Sequence, residues 1–387
     1  MKIALVSPYD YAVPGGVNKH IRHLDIEFRR LGHEVRIIAP SSSDLDELAD
    51  NLYTVGGVVP LPISGSEVRI TLSPRAYRRV KAILKAEQFD LIHLHEPMMP
   101  ALPLYVLRHS HTVNVGTFHA YRESHPAYGY GKPLIKRFWN RLHGRICVSQ
   151  AARETVSRYF PGDYAIIPNG IDVPSFSNAV APLKEYVGGP DILFVGRMDP
   201  RKGFRYLLQA FPYVKQEFPA ARLLVVGGYN EEDIEPYRRY IRRHGIADVS
   251  FVGYVSEQEL PRYYHTADVF CAPSTGFESF GIILLEAMVA GRAIVASDIP
   301  GYREVLTHGE EGLLVPPADE RALAAAIVHL LADGELRAAM GRRGQATAAQ
   351  YDWGKVAARV LDYYQETIYK VQRRAHLRQV LAKKPAE

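Results

Sequence analysis

A chain of 387 residues is longer than one hydrophobic core comfortably serves, so two domains are expected. A composition of 47% hydrophobic and 23% charged residues excludes a fibrous or wholly disordered chain; only the last fifteen or so residues lean towards disorder. The balance of 47 basic and 42 acidic residues leaves a net charge of +5, so where charge sits matters more than its sum. Cys147 and Cys271 fall in separate halves with no C-x-x-C pair, which predicts a reduced, cytoplasmic setting. The first apolar run, Ile3 to Val6, is far shorter than a signal-peptide core, and no window offers the ~18 uncharged apolar residues of a spanning helix. Any meeting with a membrane is expected from the side.

In chain order, Lys2–Ser7 reads as a buried strand running into the loop PYDYAVPGG. A helix follows, with Val17, Ile21, Leu24, Phe28 and Leu31 at steps of four and three, and Glu34–Pro40 is the next strand. That β-α-β order predicts a parallel sheet. Further strands are predicted at Asp90–His95, Val113–Phe118, Arg145–Ser149 and Ala165–Pro168. The pattern restarts with Asp191–Gly196, the loop MDPRKG and a helix with Leu207, Leu208, Phe211, Val214 and Phe218 on one face. Strands at Arg222–Gly227, Val249–Val252, Val269–Ala272, Ala293–Ser297 and Gly312–Val315 complete it. Two Rossmann-like α/β halves joined near Val173–Gly189 would bind ligands at the carboxyl ends of their strands.

The stretch ESFGIILLE sets Glu278 and Glu286 eight residues apart around an apolar run. A helix starting near Phe280–Gly281 and stopping at Gly291 puts Glu278 beside its N-terminal amides and Glu286 about two turns further on. Fully helical spacing would separate the acids by about 12 Å, close to the reach of a nucleoside diphosphate sugar. Carboxylates suit vicinal hydroxyls, although a dipole partner and a paired helix acid fit the spacing equally well. In GRMDPRKG, Arg197 and Lys202 sit where two cations would hold a pyrophosphate, or simply line a solvated loop. The glycines of PGGV, Gly16 among them, let backbone amides approach a phosphate, but a plain turn explains them too, and this is no G-x-G-x-x-G fingerprint.

His93 and His95 share one strand face with no third metal ligand at a suitable spacing, so an internal hydrogen-bonding role is preferred. His119 ends a strand, placed either as a structural cap or to meet a sugar hydroxyl or move a proton. The helix Arg75 to Lys85 sets Arg75, Arg78, Arg79, Lys81 and Lys85 against Ala76, Tyr77, Val80, Ile83 and Leu84. That face either attracts anionic lipid headgroups or is an ordinary basic surface. The basic tail Tyr369–Lys384 would add to the same attraction. Neither patch interleaves aromatics, so no nucleic-acid partner is expected.

In order, PGGV, GTFH, IPNGID, GRMDPRKG and ESFGIILLEAMVAG resemble the retaining glycosyltransferases of family 4, over nearly the whole chain. The resemblance implies a GT-B fold, two Rossmann-like domains facing across a deep cleft. Residues 1–173 would bind the acceptor and 174–355 the nucleotide sugar, with a last helix, about 356–387, packing back onto the first domain. It implies Glu286 on the ribose and Glu278 on the donor hexose, with amides of Phe280, Gly281 and Ile282. Arg197, Lys202 and Gly16 would meet the pyrophosphate and His119 the hexose. No cofactor is implied: there is no D-x-D motif near the donor site, and Mg²⁺ is compatible but not required. The elements SPYDYAVPGGV, SPRAYRRVKAIL, HLHEP and FESFGIILLEAM are similar to phosphatidylinositol mannosyltransferases. That implies Tyr9 against an inositol ring, GDP-mannose as donor and a peripheral place at the inner face of the plasma membrane. The Tyr- and His-rich loop 121–132 departs from that pattern, and ESFG does not choose between UDP- and GDP-sugars. A soluble family-4 transferase with a UDP-sugar and a small sugar or glycan acceptor, a sugar-nucleotide epimerase and a non-catalytic nucleotide-sugar sensor are the alternatives.

Overall fold

The computed structural model describes residues 1–43, 50–63, 66–121, 132–177, 180–186 and 189–382. The chain forms two compact units, one of residues 1–169 with 353–387 and one of residues 170–352. These divisions fall four and three residues earlier than the sequence placed them. The reason is local: Ile171 pairs with Asp352 as an isolated bridge, and the Ile171 amide donates to the Tyr351 carbonyl at 2.8 Å.

Unit 1 runs β1 (Lys2–Val6), α1 (Gly16–Arg30), β2 (Glu34–Ala39), β3 (Leu52–Thr54), β4 (Val59–Ile63), β5 (Ser66–Ile70), α2 (Pro74–Glu87), β6 (Leu91–His95), α3 (Leu102–His109), β7 (Val113–Phe118), α4 (Lys132–Trp139), β8 (Gly144–Cys147), α5 (Gln150–Ser157) and β9 (Ala165–Ile166). Seven strands pair in parallel in the order β3-β2-β1-β6-β7-β8-β9. Helices on both faces of such a sheet explain why Ile3 to Val6 is fully buried and reads as a continuous apolar run. In α1, Ile21, Leu24 and Phe28 are in the core as the spacing predicts, whereas Leu31 falls just past the helix's end and is exposed.

Unit 2 runs β10 (Asp191–Val195), α6 (Phe204–Glu217), β11 (Arg222–Val226), α7 (Glu231–His244), β12 (Val249–Gly253), α8 (Leu260–Thr266), β13 (Val269–Ala272), α9 (Ile282–Val289), β14 (Ala293–Ser297), α10 (Pro300–Arg303), β15 (Gly312–Val315), α11 (Glu320–Ala332) and α12 (Gly334–Ala348). Its six strands are parallel in the order β12-β11-β10-β13-β14-β15. Phe194, Phe204, Leu207, Leu208, Phe211 and Val214 meet in one core, as the α6 periodicity predicts; Phe218 is half-buried at its edge. The strand order reverses between β10 and β13, so the loops leaving these two strands emerge side by side.

The final helix, α13 (Trp353–Ala382), returns to unit 1, where Trp353, Val356, Ala357, Val360 and Tyr364 share a core with Ile21, Leu24 and Phe28. Among the described residues, no helix is long and apolar enough to cross a membrane.

Three short strands escaped the sequence. β3 is a three-residue edge strand with no alternation to detect. β4 carries Pro60 and Pro62, which argue against a strand by residue type alone, yet it pairs antiparallel with β5. Prolines two apart place both missing N–H groups on one edge, away from the partner.

Candidate functional site

The loop after β10 begins with Gly196 and exposed Arg197. Asp199 then caps a short turn: its Oδ1 accepts from the Arg201 amide at 3.0 Å, and its Oδ2 lies 2.7 Å from Arg201 Nη2. Burial pushes the Asp199 carboxyl up, but the Arg201 hydrogen bonds and the Arg201 and Arg197 charges outweigh it and hold it below its ordinary value. With Arg201 engaged by Asp199, Lys202 turns the other way. Gly203 ends the turn in the left-handed region at φ 72°, and a Cβ there would lie 1.8 Å from the Pro273 carbonyl oxygen. The loop after β13 is therefore pressed against this turn. The Thr275 amide donates to the Arg201 carbonyl at 2.8 Å.

That contact brings Lys202 Nζ to 2.6 Å from Glu278 Oε1, across 76 residues of sequence. Ser274 Oγ donates to the same carboxylate oxygen at 3.4 Å and lies 2.8 Å from the Tyr302 hydroxyl. Burial and the Glu278 charge raise the Tyr302 hydroxyl well above its usual pKa, so it stays a neutral hydrogen-bonding group.

The eight steps from Glu278 to Glu286 are not one helix. Phe277 at φ 60° and Gly281 at φ 80° are left-handed, and α9 begins only at Ile282. Glu286 is its fifth residue, about one turn in. The extended-helix separation of the acids therefore does not apply. Glu286 is buried, and the Tyr264 hydroxyl donates to its Oε2 at 2.8 Å. No side chain caps α9. The amides at its start, Ile282 among them, have no capping side chain, while Phe280 is packed in the core beside Tyr351. Sequence reasoning named Glu278, Glu286, Arg197, Lys202, Phe280, Gly281 and Ile282; Ser274, Tyr264 and Tyr302, which the structure places against the two acids, were not named. Nothing in their spacing marks them.

In unit 1 the loop after β1 leads to Gly16 at the start of α1, which also lacks a side-chain cap. A Cβ on Gly16 would meet nothing within 4 Å, and its φ is not positive. The protein's own packing does not demand glycine there. Tyr9 is half-buried and bridges Ile70 of β5.

At the ends of β6 and β7, four histidines converge. The Tyr364 hydroxyl lies 2.6 Å from His93 Nδ1, and Thr117 Oγ1 lies 2.6 Å from His93 Nε2, the internal hydrogen-bonding role expected of it. His95 Nδ1 lies 2.9 Å from His119 Nε2, and His20 Nδ1 lies 2.9 Å from Asn169 Oδ1. Glu96, left-handed at φ 47°, accepts from the His119 and Ala120 amides at 2.7 and 2.9 Å and fixes the strand end. Burial, then the neighbouring rings, holds His95 and His119 well below the ordinary imidazole pKa, so His119 is neutral. The sequence named His93, His95 and His119 but not His20, 75 residues from His95 on another element. The sequence predicts no third metal ligand at a suitable spacing for the His93–His95 pair; in the structure His93 is engaged by Tyr364 and Thr117, while His95 lies with His20 and His119.

This cluster predicts an acid-labile unit 1. Burial lowers His20 to about 4 and His93 to about 3, from 6.5 when unfolded. Between those limits the unfolded chain binds protons that the folded chain does not, so stability rises with pH. Each group costs about 2 kcal/mol at pH 5 relative to neutral pH. Urea unfolding of metal-free protein is expected to show a midpoint falling steeply from pH 7 to pH 5. A flat profile would contradict buried neutral histidines.

On α2, Ala76, Val80 and Ile83 are buried and Tyr77 and Leu84 half-buried, while Arg75, Arg78, Arg79, Lys81 and Lys85 are all exposed. Arg79 Nε donates to the Thr54 carbonyl at 2.8 Å, so one of the five also holds β3. From Gln372 to Leu381, α13 is exposed. Residues 383–384 of the basic tail and residues 122–131 of the Tyr- and His-rich loop lie outside the described residues.

Residues 14–174 match the family described as Glycosyltransferase Family 4, and residues 176–347 match Glycosyl transferases group 1. The chain is 37% identical over 368 residues to a phosphatidyl-myo-inositol mannosyltransferase of Mycolicibacterium smegmatis, covering 94% of each. It is 38% identical over 371 residues to the protein of that name from Mycobacterium tuberculosis, covering 94% of this chain and 97% of the other. Among solved structures, a sucrose-phosphate synthase from Thermosynechococcus elongatus is similar at TM-score 0.74 and 25% identity, covering 95% of this chain and 99% of that one. Two parallel-sheet units, opposed charges gathered at the strand ends of unit 2 and both family matches agree: the chain belongs to the family-4 glycosyltransferases of GT-B fold and is a glycosyltransferase.

Proposed function

We propose that this enzyme transfers mannose from GDP-mannose to phosphatidylinositol, with retention, at an anionic membrane surface. The relatives' printed names support the acceptor and the sugar. The observation that carries the chemical part is the 2.6 Å contact of Lys202 with Glu278. It sets a cation and an acid side by side at the switch point of unit 2, where a sugar diphosphate needs both.

In this reading Glu286 holds the ribose, and Arg197 and Lys202 hold the pyrophosphate. Glu278 and the amides of Phe280, Gly281 and Ile282 hold the hexose. The family resemblance assigns Gly16 to the pyrophosphate, His119 to the hexose and Tyr9 to the inositol. The sugar C1–O bond to the β-phosphate breaks as the acceptor hydroxyl attacks from the same face. The acceptor proton passes to the departing phosphate oxygen, and the two cations offset its charge. Neutral His119 serves as a hydrogen-bonding group. No cofactor is assigned; Mg²⁺ is possible and not required by the sequence. The α2 face with Arg75, Arg78, Arg79, Lys81 and Lys85 meets anionic headgroups from the cytoplasmic side, at about 1 kcal/mol per basic residue.

Purified protein, GDP-[¹⁴C]mannose and phosphatidylinositol vesicles are expected to give a labelled lipid whose anomeric configuration matches the donor's. Replacing Arg75, Arg78, Lys81 and Lys85 with Glu is expected to abolish vesicle sedimentation and lipid labelling. GDP at a hundred times its Kd should add about 2.7 kcal/mol to the stability, more than UDP or ADP at the same concentration. Labelled sugar appearing only on a soluble acceptor from a UDP-hexose would replace this reading, and nucleotide binding without turnover would end it.

A further inference from the structure

We propose that His20, His95 and His119 form a binding site for a divalent transition ion of the Zn²⁺ type. One ring nitrogen of each lies within 4.8 Å of the other two. The three rings come from α1, the end of β6 and the residue after β7, so rigid elements at the sheet's edge set their positions.

Three features distinguish this group from histidines that merely pack. His95 Nε2 is fully buried and has no hydrogen-bond partner among the described residues. A buried polar nitrogen left unpaired costs stability unless something occupies it. The second feature lies on His20, which is tied through Nδ1 to Asn169 Oδ1 at 2.9 Å. Donating one ring N–H to an oxygen leaves the other nitrogen as a lone pair in a fixed direction, as metal-bound histidines do. The third is the surroundings. Trp353 lies edge-on to His20 at 5.0 Å and stacks on His23 at 4.9 Å, shielding the group, while His119 is only partly buried. Three fixed nitrogens and one open side are the ligand set of a tetrahedral ion that keeps a place for water or an anion.

The donor set also selects the ion. Three imidazoles and no carboxylate suit Zn²⁺, Co²⁺, Ni²⁺ or Cu²⁺ and not the oxygen-seeking Mg²⁺ or Ca²⁺. Burial keeps the rings neutral, so lone pairs are ready at neutral pH. An entering ion held by His95 Nε2 and by the His119 Nε2 lone pair breaks the 2.9 Å hydrogen bond between His95 Nδ1 and His119 Nε2, and the proton remains on His95 Nδ1. The ion also takes His119 from any other ligand, so micromolar Zn²⁺ slows an enzyme that uses this side chain. Binding itself requires no particular sugar donor.

The test is calorimetric titration of the full chain with Zn²⁺ in chelator-treated buffer, paired with Co²⁺ absorption spectra. One ion per chain and the visible bands of tetrahedral Co²⁺ are expected. His95→Ala and His119→Ala should each remove those bands and weaken binding at least tenfold. Asn169→Ala should weaken it about tenfold or more. His111→Ala, at an exposed position, should change neither readout. Should His95→Ala fail to fold, as judged by circular dichroism, His119→Ala and Asn169→Ala decide. Absence of saturable binding, or Co²⁺ bands that persist in His119→Ala, would overturn the assignment.

Discussion

Glu278→Gln is expected to lower the transfer rate by about 10²–10³-fold while GDP binding, read by thermal shift, changes by less than about threefold. The side chain is held at 2.6 Å by Lys202 and at 3.4 Å by Ser274, in a partly buried place where one charge supports the other. An amide keeps the shape and loses the charge, so Lys202 is left without its acid. Lys202→Met should cost at least as much, because it removes a cation facing the departing diphosphate as well as Glu278's partner. The double variant should be less impaired than the product of the two single losses, since the two groups act as one unit, with a coupling of about 0.5–3 kcal/mol. Steady-state kinetics on the four proteins closes the cycle. Strictly multiplicative losses would show that the contact is incidental to transfer.

Gly301→Ala is expected to be nearly as damaging for a different reason. A Cβ on Gly301 would lie 2.0 Å from the Glu278 carbonyl oxygen and 2.7 Å from its carbonyl carbon. Backbone cannot swing aside as a side-chain tip can, so either α10 or the 278–279 segment must move. About 1–3 kcal/mol of stability should be lost, together with at least tenfold in rate. Gly16→Ala is the informative contrast. Its Cβ meets nothing within 4 Å, and alanine is the better helix former, so the melting temperature should hold or rise slightly. Transfer should nonetheless fall at least tenfold if a phosphate packs on that amide. Calorimetry and rate measurements on both variants separate a fold requirement from a ligand requirement. Wild-type rates in Gly16→Ala would remove this residue from the donor site.

How far the sequence could be read follows from what each element depends on. Parallel strands are buried on both faces, so runs such as Ile3–Val6 and Leu223–Val226 announce themselves. The α6 stripe does the same through its period. β3 and the Pro60–Pro62 strand stayed hidden because they lie at edges, where pairing rather than composition decides. The site was legible where one short motif carries it, as with Glu278 and Glu286 flanking an apolar run. Its geometry was less so: Gly281 is left-handed and α9 begins at Ile282, which puts Glu286 about one turn into the helix rather than two. Partners joined only by the fold gave no signal at all. Tyr264 on Glu286, 22 residues away, and His20 beside His95 depend on how strands and helices stack.

The account rests on a diphosphate sugar lying at the start of α9, with an acid towards each end and cations at its middle. A crystal structure of the chain soaked with GDP measures this directly. The ribose hydroxyls are predicted within hydrogen-bond distance of the Glu286 carboxylate, and the phosphates within about 3 Å of Lys202 and Arg197. A nucleotide bound elsewhere on the chain, with Glu286 still turned to Tyr264 and Lys202 still closed on Glu278, would contradict it.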